Sequence, residues 1–433
     1  MTLTACPRCQ SPAWTECAHC GATYPVLDGI PFLIKNADAF LLRWGARLAM
    51  RLRQVSELER LAAGEPEGMR LRRVADSERS NLSKLLELIP EFAGRAGALG
   101  AAGGDPALSA GFLLPHTQHL ESYWETVFRD WCWGRAEVDE AAEWVGGHLP
   151  SGEIQVAVLG SGAGGMIHAL ARRRLEARWW ALDINPALLQ CHRRMLAFAD
   201  TRVELQLDEI PLNPRSLAEA TVTRALRGEE QSSVARRITL LGADALQPCF
   251  RTSSLDAVVA SWFVDIIPED TSHLARRVNR ILKAEGVWLV HGPQGFSNPR
   301  SARAYTDEEF LEVLSAAGFE VLHHERRDQP YLHSPAGRQK RTELISLFVA
   351  RKIRSCQAPP AHQDLPPYLL NRDQPVVADE RIREMALDAA TRAQILAAVD
   401  GKRSFEDLAG LIAAHYRISS QSARSLLIQV LAG

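Results

Sequence analysis

Four cysteines lie within the first 20 residues as two Cys-x2-Cys pairs, Cys6/Cys9 and Cys17/Cys20, with seven residues between the pairs. A tight Cys-x2-Cys turn aims two thiolates at one point, and two such turns complete a tetrahedral site suited to zinc. Four thiolates leave no open coordination position, so one such ion would be structural and not catalytic. The competing reading is four free thiols. The remaining cysteines, Cys132, Cys191, Cys249 and Cys356, are scattered singly and make a poor disulfide framework.

A second group of residues could hold a nucleoside. In VAVLGSGAGG, Gly160, Ser161, Gly162 and Gly164 follow an apolar strand-like run and precede a helical pattern. Glycines there permit a tight turn and close approach of a ligand to a helix N-terminus. Asp183 ends the next strand pattern, 19 residues after Gly164, where an acid can accept hydrogen bonds from both ribose hydroxyls. Asp244, followed by Ala245, ends the third strand pattern and is placed for an adenine amine. This is the arrangement expected of a class I S-adenosylmethionine methyltransferase. A dehydrogenase is disfavoured because its second half-domain is not evident. The wholly structural alternative is a turn glycine plus a helix-capping Asp183.

The elements needed to position these groups are legible as alternating patterns. Strands are expected at 153–160, 178–184, 238–244, 255–262 and 286–292, with a helix over MIHALARRR and another over HLARRVNRIL. EEFLEVLSAAGFEVLHHER and ELISLFVARK add a helix and two more strands, and residues 205–237 read as a charged helical insertion. From Gln118 to Gly147 apolar residues recur at helical spacing. Alternation of this kind implies an α/β fold, a parallel sheet with helices on both faces. With 433 residues, two or three domains are expected. Lys+Arg number 50 and Asp+Glu 52, a net charge of −2 that argues against a polyanion-wrapping protein. Charged residues at 24% and hydrophobic residues at 46% exclude wholesale disorder. No run reaches the ~18 apolar residues of a membrane span, and the first residues lack a signal-peptide pattern, so a cytoplasmic protein without membrane association is expected.

Several strings resemble the carnosine N-methyltransferase family, whose members methylate a histidine imidazole. FRDWCWG…EVDEA (128–141) is similar to that family's helix, and the resemblance implies that Arg129 holds the cofactor's carboxylate; Thr126 stands where the family has glutamine. VLGSGAGG resembles the family's cofactor turn, with Asp183 in place of its glutamate. DAVVASWFVDIIP resembles the signature that places Ser261 at the cofactor and Asp265 at the imidazole. GVWLVHGPQGF and QPYLH…ELISLFVARK resemble its last strands, with Tyr331 at the substrate tyrosine. The match spans roughly 120–352. It departs at the family's histidine after GPLLY, where this chain has Ser297; His291 precedes the Gly-Pro instead, and His291 and His333 become candidate substrate contacts. A chain that keeps the acid and tyrosine but changes the histidine is expected to keep the reaction type and alter the substrate. For Asp265 the alternative is an N-cap or loop aspartate near Pro268, and for the histidines a structural role.

CPRCQSPAW…CAHCGATYPVLDGIPFLI resembles the zinc-ribbon modules that precede or partner RNA methyltransferases. ILAAVDGKRSFEDLAGLIAAHYRISSQSARSLLIQVL resembles the small winged-helix family typified by PqqD, which binds leader peptides; Asp400-Gly401 supplies a turn, and Ser404 with Asp407 a capping-box-like helix start. An ordinary helical dimerisation or lid domain is the alternative. The expected organisation is a zinc ribbon (1–35), a helical segment and linker (36–117) that fades into the Gly/Ala stretch FAGRAGALGAAGGDPALSAG, a Rossmann-like methyltransferase domain (118–352), a Pro-rich linker (353–375) and a PqqD-like winged-helix module (376–433). The expected activity is N-methylation of an imidazole-type nitrogen in a histidine-containing small molecule or peptide. Its catalytic candidates are Asp265, Tyr331, Ser297 and His291. Alternatives are another metabolite, RNA presented by the zinc ribbon, or a peptide-binding adaptor with a cofactor-binding core; residues 376–433 are the expected site for a leader peptide or protein partner.

Overall fold

The computed structural model describes residues 3–35, 37–66, 69–102, 123–196, 202–204, 221–223, 233–247, 249–267, 269–295, 304–335, 340–359 and 380–432. The chain divides into two compact units, 1–361 and 362–433.

In the first unit the apolar, β-branched runs anticipated above form strands. These are β3 (Gln155–Leu159), β4 (Arg178–Asp183), β7 (Ile238–Ala243), β8 (Leu255–Ser261) and β9 (Leu282–Gly292), all mutually parallel. Their side chains are buried on both faces, as befits strands sandwiched between helices. The sheet is not wholly parallel, however. β10 (Phe319–Tyr331) and β11 (Arg341–Lys352) form an antiparallel hairpin, and β11 inserts between β9 and β10. The order is β7-β4-β3-β8-β9-β11-β10, so the chain runs outward from β3 in one direction and then, from β8, in the other. Ligands of open α/β sheets bind outside the carboxyl ends of the strands at such a switch point.

Two further strands extend this sheet beyond β7. YPVLDGIPFLI forms β1 (Val26–Leu27) and β2 (Ile30–Leu33), turned by Asp28 and Gly29, and β2 lies parallel to β7. The cysteine segment, expected as a self-contained module, therefore shares a sheet and one compact unit with residues 118–352.

Helices α1 (Ala37–Ala62), α2 (Arg70–Leu88) and α3 (Pro90–Ala102) follow. The expected linker over FAGRAGALGAAGGDPALSAG is corrected in its first part, since α3 covers it up to Ala102; the remainder lies outside the described residues. Phe92 packs against Phe32 and Phe40, with centroids 6.2 and 6.0 Å apart, and Ala96 is fully buried. Burial of that face outweighs the weak helix propensity of its glycines.

The helix expected over 118–147 is also broken. Among the described residues α4 (Trp124–Phe128) runs into a π-turn (Arg129–Trp133) closed by the Gly134 N–H donating to the Arg129 carbonyl, and α5 (Arg135–Gly146) follows. The helices on the main sheet are α6 (Gly165–Arg173), α7 (Pro186–Leu196), α8 (Thr271–Ile281) and α9 (Asp307–Ala316). The charged insertion is not simply helical: within it β6 (Thr221–Thr223) pairs antiparallel with β5 (Arg202–Glu204), which precedes it. The rest of 205–232 lies outside the described residues.

The second unit contains α10 (Glu380–Ala397), α11 (Phe405–Tyr416) and α12 (Ser420–Ala432) around Ile395, Leu408, Ile412, Ala423 and Leu427. Ser404 and Asp407 form the full reciprocal capping box, and Asp400 Oδ1 accepts the Lys402 and Arg403 N–H groups. The wing is a correction: among the described residues this unit contains three helices and no strand. No helix of the described residues is long and apolar enough to cross a membrane.

Candidate active site and metal centre

The carboxyl ends of β3, β4, β7 and β8 open onto one crevice of about 1180 Å³, including its open mouth. Its lining includes Gly160, Ser161 and Gly162 after β3, Asp183 ending β4, Asp244 and Ala245 after β7, and Ser261 ending β8. Gly160, Gly162 and Gly164 all have positive φ. Gly164 does not line the crevice but starts α6; a Cβ there would stand 2.3 Å from the His192 ring, so no larger residue fits.

Asp183 holds the turn in shape. Its Oδ2 accepts the Gly162 N–H and its Oδ1 the Asn185 N–H, both at 2.8 Å. Burial nevertheless pushes its carboxyl above the usual aspartate value, the backbone hydrogen bonds opposing. Asp244 Oδ1 accepts the Leu246 N–H at 2.9 Å, and its Oδ2 accepts from Gln247 Nε2 at 3.2 Å.

The π-turn brings Arg129 to the crevice wall. Its Nε and Nη2 donate to Asp130 Oδ1 at 2.9 and 2.8 Å, while Asp130 Oδ2 accepts the Gly165 N–H at the start of α6. Burial works against the Arg129 charge, but the Asp130 carboxylate beside it raises the guanidinium pKa further. The cation is thus held ready for an anionic group. Asp130 was not singled out in the sequence. Nor were Tyr123, Trp262 and Phe263, which also line the crevice.

Tyr331, at the end of β10, closes the far side. Its ring stacks on Trp262 with centroids 3.9 Å apart and planes at 19°, and the Arg341 and Arg129 guanidinium carbons lie 4.5 and 5.4 Å from its centroid. Around this side three non-glycine residues adopt left-handed backbone: Trp262 after β8, Gln294 after β9 and Leu332 after β10, with φ of 54°, 52° and 54°. Such conformations cost of order 1–3 kcal/mol each and cluster at functional sites. Glu137 accepts the Leu332 and His333 N–H groups at 3.1 and 3.0 Å, which anchors the last of these turns to α5.

Asp265 follows β8, half-buried, between the crevice-lining residues Phe263 and Ile266, and is itself absent from the lining. Its Oδ2 accepts the Gly295 N–H at 2.9 Å, joining the loops after β8 and β9. Burial raises its pKa against the pull of its backbone hydrogen bonds. The Gln294 side-chain amide, next in chain to that contact, is buried with no hydrogen-bond partner at either end.

Two expected contacts fall elsewhere. His291 lies on β9 beneath the crevice, 1% exposed, with Nδ1 3.0 Å from Ser261 Oγ and Nε2 3.3 Å from Gln329 Oε1. Burial depresses its pKa to about 4, so it is a neutral histidine supporting Ser261 and does not line the crevice. His333 Nε2 lies 2.7 Å from the Arg341 carbonyl and is likewise absent from the lining. Ser297 lies outside the described residues.

The four cysteines converge independently of this crevice. The Sγ atoms of Cys6, Cys9, Cys17 and Cys20 all lie within 4.8 Å of one another, with Cys6–Cys20 at 3.6 Å and Cys9–Cys17 at 3.5 Å. A zinc tetrahedron with ~2.3 Å Zn–S bonds has edges of about 3.8 Å, so the donor set fits that ion. Tyr24 Oη lies 2.9 Å from Cys6 Sγ, a hydrogen bond that orients a thiolate ligand.

No family model matches the chain, and no curated protein does. Among solved structures it is similar to a complex of the Haloferax volcanii Trm112 methyltransferase activator with a putative methyltransferase (17% identity, 54% of this chain, 96% of that chain, TM-score 0.35). It is also similar to a putative methyltransferase from Bacillus halodurans (13%, 50% and 99%, TM-score 0.35). A third is a putative sarcosine dimethylglycine methyltransferase from Galdieria sulphuraria (15%, 50% and 87%, TM-score 0.34). The strand order β7-β4-β3-β8-β9-β11-β10, with β11 inserted antiparallel between β9 and β10, is that of the class I methyltransferases. The first unit has the class I methyltransferase fold.

Proposed function

We propose that this chain is an S-adenosylmethionine-dependent methyltransferase that acts on an imidazole-type nitrogen of a histidine-containing small molecule or peptide. The observation that carries the cofactor reading is the convergence of the glycine turn, Asp183, Asp244, Ser261 and a half-buried Arg129 on one crevice. Asp183 would accept from the ribose, Asp244 from the adenine amine, and Arg129 would pair with the amino-acid carboxylate. When bound, the cofactor supplies an electrophilic methyl on a sulfonium. Cys6, Cys9, Cys17 and Cys20 would hold one structural zinc.

The substrate reading rests on the resemblance at Asp265 and Tyr331, and the stacking of Tyr331 on Trp262 in the crevice lining supports the second of these. Methyl transfer needs a neutral nitrogen with a free lone pair aimed at the methyl. A carboxylate that accepts the N–H of one ring nitrogen fixes the tautomer and turns the other nitrogen to the reaction. As the ring becomes a cation, Asp265 stabilises the developing charge, and its raised pKa makes it a better acceptor of the ring proton. Tyr331 positions the ring.

Mass spectrometry of products formed with labelled cofactor, across histidine dipeptides, peptides and RNA, tests the proposal. Label on an imidazole nitrogen supports it. Label only on RNA or on a substrate without imidazole overturns the substrate assignment, and cofactor binding without turnover on any of them leaves a binding protein.

A further inference from the structure

The cysteine ribbon contributes no residue to the crevice lining, but it holds the strand and loop that carry the lining residues Asp244 and Ala245. β2 pairs with β7 at Phe32↔Gly242 and Leu33↔Ala243, immediately before the lining residues Asp244, Ala245 and Leu246. The approach is close: a Cβ on Gly242 would stand 2.3 Å from the Phe32 ring. The loop leaving β7 is also held by residues 3–5. The Ala5 N–H donates to the Cys249 carbonyl at 2.8 Å, the Arg251 N–H donates to the Leu3 carbonyl at 3.0 Å, and Thr4 bridges Phe250. Cys6 and Cys17 pack in the same core as Leu246, Cys249 and Phe250.

Gln247 joins the two parts through its side chain. Its Oε1 accepts the Lys35 N–H at 3.0 Å, just past β2, and its Nε2 donates to Asp244 Oδ2 at 3.2 Å. One amide therefore reads the position of the ribbon and fixes the rotation of the crevice carboxylate. The two cysteine turns are tied to each other through their four sulfurs, so loss of the ion would loosen them even though their core is shared with the loop after β7.

We infer that the ribbon supports the cofactor site: its metal-dependent fold sets cofactor affinity, and Gln247 is the positioning residue that carries the effect to Asp244. This rests on the reading of the crevice as an adenosyl site with Asp244 at the base. The metal's effect thus reaches the cofactor through backbone and amide, with no contact between them.

The test is calorimetric affinity for S-adenosylmethionine, measured on the full chain with zinc bound and after chelation, for wild type, Gln247→Leu, Gln247→Glu and Asp244→Ala. Gln247→Leu removes one side-chain contact on Asp244 and should weaken binding about three- to tenfold, the scale of a single hydrogen bond, with zinc content unchanged. Gln247→Glu keeps the acceptor for Lys35 but sets a carboxylate against Asp244. Its loss should be larger at pH 8 than at pH 6, where a shared proton restores the contact, whereas the Gln247→Leu loss should not vary with pH. Chelation should weaken binding at least as much as Gln247→Leu, and Gln247→Leu should add little in stripped protein, since both break one linkage. Should stripped protein unfold by tryptophan fluorescence, the two zinc-loaded Gln247 variants carry the test. If Asp244→Ala weakens binding while both Gln247 variants stay within twofold of wild type, the inference fails. If Asp244→Ala also leaves binding unchanged, the failure lies in the adenosyl reading itself.

Discussion

Three histidines are buried so completely that they should make the first unit acid-sensitive well above the carboxylate range. His192 is fully buried with neither ring nitrogen partnered, His168 lies close by on α6, and His291 sits beneath the crevice. Burial lowers their pKa values to about 3, 4 and 4 from 6.5. The folded state keeps them neutral, so their contribution is fully present above the unfolded pKa and is lost as pH falls toward the folded values. Linkage gives about 0.8 kcal/mol lost per histidine between pH 7.5 and 6, hence about 2.4 kcal/mol for three, and about 2 kcal/mol each by pH 5. The raised carboxylates Asp183 and Asp265 act in the opposite sense, so a variant isolates the histidine share. In His192→Leu, a non-titrating side chain of similar bulk, the fall between pH 7.5 and 6 should shrink by about 0.8 kcal/mol. The assay is urea unfolding followed by tryptophan fluorescence; all ten tryptophans lie in the first unit, so the signal reports it alone. An unchanged pH slope in His192→Leu would refute the argument, because it would mean that this ring is hydrated or partnered in the folded state.

Other expectations concern the site. Asp183→Ala removes the acceptor of the Gly162 and Asn185 N–H groups as well as the proposed ribose contact, so cofactor affinity should fall at least tenfold by calorimetry, with a lower Tm from stranded buried donors at ~1–3 kcal/mol each. Asp265→Asn keeps a hydrogen-bond acceptor but loses the charge that opposes the forming imidazolium. It should lower kcat roughly ten- to a thousandfold, a ~1.4–4 kcal/mol effect, with cofactor affinity nearly constant; wild-type turnover on every accepted substrate would remove the imidazole assignment. Cys9→Ser should cost the bound zinc, measured by elemental analysis of untagged protein, and expose residues 3–35 to hydrogen exchange.

The parallel strands and the residues at their carboxyl ends were readable because strand period, glycine turn and terminal acid coincide in one short string. Gly160, Asp183 and Asp244, read in that way, and Ser261, placed by the resemblance, line one crevice. His291 could not be placed from the pattern, since β9 is buried on both faces from Val287 to Gly292 and alternation no longer tells crevice from core. Arg129 was found through its motif, but the π-turn that shifts it, and the Asp130 clamp, leave no periodic signature. Tyr123 falls in a stretch whose helical pattern gives no hint of the break beside it. The ribbon's attachment was equally silent: nothing in VLDGIPFLI names the strand that β2 will join. The helical Gly/Ala stretch of α3 is a case of packing overriding propensity, decided by Phe92 and Ala96.

The join between β2 and β7 has a consequence for how the chain could be divided. β7 spans six residues, and β2 shields its outer edge along only two residue pairs. A polypeptide beginning after Lys35 would leave that edge bare, with unpaired amides and carbonyls flanked by apolar side chains, a template for strand addition. The vacant groove would accept residues 1–35 offered as a separate peptide, and without that peptide it would recruit a strand from another copy. Strand complementation and self-association are thus two outcomes of one exposed edge, and the covalent link to the ribbon selects between them.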